Sequence, residues 1–328
     1  MLSWFANGKF PLYLAPMAGV SDMIFRQLCK ERGADVLVTE FVSSEGVFRR
    51  NERTRGYLEF DAARERPIGV QLFGGNAEHM GEAARQVVDW VQPDFIDLNF
   101  GCPVNKVVAK NGGSALLKDC GTLGKVVDAV VKAVTPLPVT AKIRIGWDDA
   151  TINAVEVARQ VESLGVAALA VHGRTRAQGY SGAADWEVIA AVAEAVAIPV
   201  IGNGDLFSAS DVARRKRETG IAGAMIGRAA MSSPWIFAQT KHFLATGVLL
   251  PPPEPAEKWA LIQRHCQLAV AECGVEDVAI RSMRGRLMAY TKGMPAGKML
   301  REKFPHVCSL SEIAEIAELH LASCLEAA

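Results

Sequence analysis

Phe95-Ile96-Asp97-Leu98-Asn99-Phe100-Gly101-Cys102-Pro103 is a short apolar run that stops at a Gly-Cys-Pro turn. Proline has no N–H to give a sheet ladder, so a strand over 95–99 ends here and leaves the thiol of Cys102 at its mouth. An unpaired cysteine is most often a small buried hydrophobe. This one stands apart because other strand ends in the chain also carry polar residues suited to holding a ligand.

Working outward, short apolar runs recur at 12–17, 36–41, 68–73, 95–99, 139–145, 168–172, 199–202 and 223–226. Between them lie helical spacings such as Ala83, Val87, Val88, Val91 and Val126, Val127, Val130, Val131, Val134. Strands apolar on both faces that alternate with amphipathic helices predict a parallel sheet covered by helices. Eight such units in about 240 residues predict an α/β fold of the (β/α)8 TIM-barrel type. A doubly wound open sheet is the alternative, but no G-x-G-x-x-G follows the first strand.

The proline cluster Pro251-Pro252-Pro253-Glu254-Pro255 breaks the pattern. The expected organisation is a barrel over 1–248, a Pro-rich linker over 249–256 and a small C-terminal helical bundle over 257–328. Ser309-Leu310-Ser311-Glu312 spells a capping box for the last helix. The 328 residues carry no net formal charge, so a polyanion partner must be met by a local patch. Arg281, Arg284, Arg286, Lys292, Lys298, Arg301 and Lys303 stand against Glu302 alone and are read as a phosphate-facing surface. Arg214-Arg215-Lys216-Arg217 is read instead as a solvated face of an outer helix. Seven cysteines without a CxxC spacing suggest neither a disulfide framework nor a metal site, and point to a reducing cytoplasm. No signal segment or membrane span is expected.

Chemistry in such barrels is built at the C-terminal strand ends. Read in order, these give Pro16-Met17-Ala18, Glu40, Gln71, Asn99 with Cys102, Lys142 with Arg144, His172, Asn203-Gly204-Asp205 and Gly227-Arg228. A lysine inside an apolar run is costly to bury without a partner, so Lys142 is a functional signal. His172 alone reads as a satisfied core histidine. The glycines of the last two ends let backbone N–H groups approach an anion, and Arg228 adds a clamp, which together suggest a phosphate. A phosphate site, a lysine, amide side chains and a thiol suggest a flavin mononucleotide.

These residues resemble a known family. Ala15-Pro16-Met17-Ala18-Gly19-Val20-Ser21-Asp22, Gln71-Leu72-Phe73-Gly74, Asp97-Leu98-Asn99-Phe100-Gly101-Cys102-Pro103, Lys142-Ile143-Arg144-Ile145-Gly146-Trp147, Val171-His172-Gly173-Arg174-Thr175-Arg176, Gly202-Asn203-Gly204-Asp205 and Met225-Ile226-Gly227-Arg228 resemble, in order, the flavin-dependent tRNA-dihydrouridine synthases. The loop 104–117, with Lys106 and Lys110, looks most like the bacterial B-type branch. The resemblance implies NADPH-dependent reduction of the C5–C6 bond of a tRNA uridine, with tightly bound FMN and Cys102 as proton donor. It implies FMN contacts at Pro16, Met17, Ala18, Gln71, Lys142, His172, Asn203, Gly204, Asp205, Gly227 and Arg228. Asn99 and Arg144 are candidates to hold the uracil. Lys106, Lys110, Arg174, Arg176, Arg281, Arg284, Tyr290 and Lys292 are candidates for the RNA, with Arg49, Arg50, Arg53 and Arg55 as possible additions. The family's Arg-Lys-His and Trp-Tyr stretches are here Arg284-Gly285-Arg286 and Ala289-Tyr290. A soluble monomer is expected. The rival readings are an FMN-dependent reductase of free pyrimidines and a non-catalytic RNA-binding protein.

Overall fold

The computed structural model describes residues 2–108 and 112–326. Strands β1 (Leu12–Leu14), β2 (Leu37–Val38), β3 (Val42–Ser43), β4 (Ile68–Phe73), β5 (Phe95–Phe100), β6 (Val139–Arg144), β7 (Ala168–His172), β8 (Val200–Asn203) and β9 (Gly223–Ile226) form one sheet. Its order is β1-β9-β8-β7-β6-β5-β4-β2, with β3 also on β4 and every pairing parallel. A parallel bridge from Tyr13 to Val36 joins the two ends, so the sheet closes. The result is a (β/α)8 barrel, as the alternation of apolar runs and helical spacings predicts.

The second expected strand, 36–41, is interrupted. From Val38 to Val42 the chain advances four residues while its partner advances three, from Gly69 to Leu72. That extra residue is a bulge, and it divides the run into β2 and β3. Thr39 covers the break, its Oγ1 accepting a hydrogen bond from Gln71 N at 3.2 Å. A period-two pattern carries no mark of one inserted residue, so the sequence reads as a single strand.

The outer helices form where apolar spacing and a cap coincide. Asn76 Oδ1 accepts from His79 N at 3.0 Å and opens the helix Ala77–Val91, which buries Met80, Ala83, Ala84 and Val87. Asp119 Oδ1 accepts from Thr122 N at 2.9 Å and opens the helix Cys120–Val134, which buries Leu123, Val126, Val127 and Val130. Each cap stabilises by about 1 kcal/mol and each buried Leu or Val side chain by about 1.5–3 kcal/mol, so burial dominates. Inside the barrel, Leu2, Tyr13, Val36, Val38, Phe95, Ala168, Ile201 and Met225 pack together.

After Pro251-Pro252-Pro253 the helix Pro255–Cys273 starts before the expected boundary at 257, because Glu254 and Glu257 form a capping box around Pro255. Helices Glu276–Tyr290, Gly297–Lys303 and Leu310–Glu326 complete the tail. The last opens as its sequence spells: Ser309 Oγ accepts from Glu312 N at 3.2 Å, and Glu312 Oε2 accepts from Ser309 N at 3.3 Å. The tail core of Trp259, Ile262, Ile280, Met283, Leu287, Phe304 and Ile313 includes Ile24 and Leu28 from the barrel helix Met23–Glu31. The tail is therefore seated beside the loop that follows β1. Among the described residues no helix is long and apolar enough to cross a membrane.

Candidate functional site

Parallel strands all end on one face, and there the barrel opens into a cleft of about 490 Å³. Pro16, Met17, Ala18, Gln71, Asn99, Cys102, Lys142, Arg144, His172, Asn203, Gly204, Asp205, Gly227 and Arg228 all line it. Phe41, Val104, Tyr180 and Phe207 complete the wall from loops.

A hydrogen-bonded chain holds the thiol in place. Buried Asp97 accepts from Thr140 Oγ1 at 2.5 Å and from Gln71 Nε2 at 2.5 Å. Gln71 Oε1 accepts from Asn99 Nδ2 at 2.7 Å. Asn99 Oδ1 accepts from Gly101 N at 3.0 Å and Cys102 N at 2.9 Å. This occupies the Asn99 carbonyl, and the amide keeps one further N–H with which to meet a ligand. Ser114 bonds the Cys102 carbonyl through its N, at 3.2 Å, and its Oγ, at 2.8 Å. Gly113 sits at φ +58°, where a Cβ would stand 3.0 Å from that of Cys102, so the turn needs glycine. Cys102 is 5 % exposed, and burial pushes its thiol up. It therefore keeps its proton at neutral pH, as a general acid must.

Charge gathers in the cleft. Burial, with Arg144 beside it, lowers Lys142 to about 8. His172 is neutral: burial, then Lys142, Arg144, Arg174 and Arg228, push it far below its ordinary value. Arg144 straps the Cys102 turn to the loop after β7, donating to Gly101 O at 2.9 Å and to Thr175 O and Gly179 O at 2.8 Å. Asp205, at φ +50°, accepts from Arg174 Nη2 and Arg228 Nη2 at 2.8 Å each. Burial opposes its charge, but the Ala184 N–H and the two guanidiniums outweigh it and hold the carboxyl low. Arg228 remains 40 % exposed, lying over Tyr180 and Phe207 with its Cζ 5.2 and 5.3 Å from the ring centroids. Gly204 has φ +124°, and a Cβ there would stand 2.7 Å from Ala184 Cβ and 3.1 Å from the His172 ring. Gly204 therefore packs against Ala184 and His172 more closely than any side chain there would allow.

The expected RNA contacts divide. Arg174 is 2 % exposed and spends itself on Ser181 O, Gly182 O and Asp205, so contact with RNA is closed to it. Tyr290 is 2 % exposed and bonds His265 at 2.9 Å within the tail core, a second correction. Arg284 is turned onto Val307 O at 2.9 and 3.0 Å and His306 O at 3.2 Å, a third. Helical spacing could not reveal these carbonyl partners, which come from a turn over twenty residues away. Arg281 is exposed and pairs with Asp277 at 2.8 Å, one helical turn back. Arg176 and Lys118 flank Trp147, 4.6 and 4.8 Å from its centroid. Lys292, Lys298, Arg301 and Lys303 are exposed, as are Arg49, Arg50 and Arg55. Lys106 lies in the short helix Asn105–Val108, and Lys110 lies outside the described residues. The run Arg214 to Arg217 lies on the outer helix Ala209–Thr219, where Arg214 pairs with Asp211 and Glu218, and Arg215 with Glu218. Asp97, Thr140, Tyr180 and Phe207 join the site without a signal of their own in the sequence, and Arg286, expected on the phosphate-facing surface, is instead buried with its guanidinium on Asp22 at 2.6 Å, a fourth correction. Asp97 faces Thr140 in register across β5 and β6, a pairing that only the folded sheet discloses.

Two solved structures share the fold. Histamine dehydrogenase from Rhizobium sp. 4-9 superposes with TM-score 0.51 at 16% identity, over 72% of this chain and 45% of that one. TcOYE with pHBA superposes with TM-score 0.50 at 11% identity, over 75% and 91%. Similarity in sequence runs closer. tRNA-dihydrouridine synthase B of Pseudomonas aeruginosa is 42% identical over 293 residues, 89% of this chain and 87% of its own. That of Xanthomonas campestris pv. campestris is 43% identical over 282 residues, 86% and 84%. A probable tRNA-dihydrouridine synthase of Rickettsia conorii is 40% identical over 287 residues, 87% and 85%. The family model for dihydrouridine synthase (Dus) matches residues 13–326, which takes in the cleft and the tail together, and by that span and those identities the chain belongs to the dihydrouridine synthase family, beside its bacterial B-type members.

Proposed function

We propose that this protein reduces the C5–C6 double bond of a uridine in folded tRNA, with FMN held in the cleft, NADPH as reductant and Cys102 as proton donor. The observation that carries the reading is the Cys102 thiol in the same cleft as Lys142 and the arginine-bearing glycine loop Gly227-Arg228. The donor set fits FMN. Arg228, with the turns at Asn203-Gly204-Asp205 and Gly227, suits a phosphate. Lys142 supplies a cation for a ring that gains negative charge on reduction. Held by Lys142, Arg228 and the Asn203-Gly204-Asp205 turn, FMN would supply hydride chemistry, with NADPH as the source of electrons and C6 of the uracil as the acceptor.

The chain's own residues account for the rest. Cys102 Sγ holds the proton that C5 accepts, and Asn99, Gln71 and Asp97 hold Cys102 at its station. Neutral His172 can accept or donate one hydrogen bond without adding charge. A uridine reaches this depth only after leaving its stack, and the RNA-facing candidates for offsetting that cost are Arg176 and Lys118 at Trp147 and the exposed Lys292, Lys298, Arg301 and Lys303. We place the protein in the cytoplasm as a monomer.

The test is direct. Purified protein should show a flavin spectrum, and with NADPH should form dihydrouridine in an unmodified tRNA transcript but leave free uracil and uridine unchanged. Turnover of the free pyrimidine and none of the tRNA would establish the rival reductase. A colourless protein that binds RNA would establish the non-catalytic reading.

A further inference from the structure

Resting on the reading above, we propose that Arg286 is a positioning residue that makes the helical tail set the shape of the cleft's first wall. That wall is the loop 16–21 after β1, in which Pro16, Met17, Ala18 and Val20 line the cleft. It is short of regular structure and is held by side chains. Ser21 Oγ accepts from Met17 N at 2.8 Å, and Gly19, at φ +67°, donates its N–H to Glu40 Oε2 at 2.9 Å. Asp22 Oδ1 accepts from Phe25 N at 2.8 Å and so starts the next helix. These ties all come from the barrel.

Arg26 Nη1, on the barrel helix Met23–Glu31, adds a bond to Ser21 O at 3.0 Å, and a further tie comes from the tail. Arg286 Nη2 donates to Asp22 Oδ2 at 2.6 Å and reaches Gly19 O at 3.4 Å, and its guanidinium lies 4.8 Å over the Phe25 ring. The Arg286 side chain is only 7 % exposed. Adhesion of the tail is provided elsewhere, by Ile24 and Leu28 against Trp259 and Ile262 and by Arg264 on Glu31 at 2.6 and 2.7 Å. Arg286 differs from those contacts in its target, since it grips the loop and the cap that ends it. The turn after the same helix brings Lys292 to 5.4 Å over Phe207, on another wall of the cleft. One tail helix and its turn thus touch two loops that frame the opening. RNA docked on the tail is held in register with a wall whose conformation the same helix fixes.

The Arg286→Gln and Arg286→Lys variants test this, with amide hydrogen exchange and steady-state kinetics on tRNA. In Arg286→Gln, exchange should quicken in the segment 16–22 and stay unchanged in the tail-core segment 259–266. The kcat for dihydrouridine formation should fall about 10-fold, as expected for a modestly misplaced reacting centre, while the Kd for tRNA holds. Arg286→Lys should restore most of both. Unchanged exchange at 16–22, equal loosening of 259–266, or a wild-type kcat in Arg286→Gln would each overturn the proposal. If the wild type forms no dihydrouridine, the activity reading fails by itself, and the exchange comparison still decides whether Arg286 fixes the loop.

Discussion

The barrel mouth and the tail treat their polar residues in opposite ways. Gln71, Asn99, Lys142, His172, Asn203 and Arg228 are scattered through the sequence, yet one cleft collects them. Arg281, Arg284, Arg286 and Lys292 are neighbours in sequence, yet they go to Asp277, Val307, Asp22 and Phe207 respectively. Parallel strands end on one face, so a strand-end residue has its destination fixed by direction and parity. A helix points its side chains all round, and a long basic side chain takes whatever carbonyl or carboxylate lies within reach. Position in a barrel sequence thus predicts company in space, whereas clustering in a helical sequence predicts only proximity of Cα atoms.

The sharpest way to break that contrast is at the thiol. Cys102→Ala should keep the flavin and its reduction by NADPH but lose about 10²–10⁴-fold in dihydrouridine formation, the usual contribution of a general acid. Single-turnover measurement of product with pre-reduced enzyme checks it. Wild-type product formation would remove Cys102 from the chemistry and leave the barrel mouth an assembly without an acid.

Lys142 comes next. Burial holds its folded-state value at about 8, below that of an unfolded lysine near 10.4. The unfolded chain therefore binds the proton more tightly, and the folded state carries a penalty that is complete below pH 8 and vanishes as pH rises toward 10.4. At about 1.4 kcal/mol per unit, the penalty is of order 3 kcal/mol. In flavin-free protein, Lys142→Met should raise the melting temperature at pH 7, with the gain shrinking steadily to nothing by about pH 10–11. A gain independent of pH would mean that packing, rather than the buried cation, is responsible. Uridine reduction should fall at every pH in this variant.

The smallest effects belong to the tail, where the contrast predicts two kinds of basic residue. Arg284→Ala should cost about 1–3 kcal/mol of tail stability, because it leaves the Val307 carbonyl without its charged donor, and should barely alter the salt dependence of RNA binding. The double change Lys298→Ala with Lys303→Ala should do the reverse: little change in melting temperature, and a slope of log K against log[salt] flatter by somewhat under one unit per lost contact. Equal salt slopes in the two variants would show that the inward and outward residues are not distinct in solution.

These cases explain what the sequence discloses. The barrel and the cleft-lining residues were legible because apolar period and strand ends are local signals. The capping box of the last helix was legible for the same reason. The bulge after Val38 was not, since it changes register without changing composition. The burial of Arg174 and Tyr290 was not, because each is set by partners remote in sequence or by tertiary packing. Arg286 stood in plain view as one basic residue among many. Its partner Asp22 lies more than 260 positions away, and no periodicity connects them.

Neutral His172 lies where the positive charges of the cleft converge. Burial is the main cause that keeps its ring uncharged, and Lys142, Arg144, Arg174 and Arg228 add to it. The chain as a whole carries +0. A polyanion is therefore drawn by the exposed Lys292, Lys298, Arg301 and Lys303 and not by net charge, a short-range pull that salt screens. Only after contact does it meet the concentrated potential behind the low-dielectric walls.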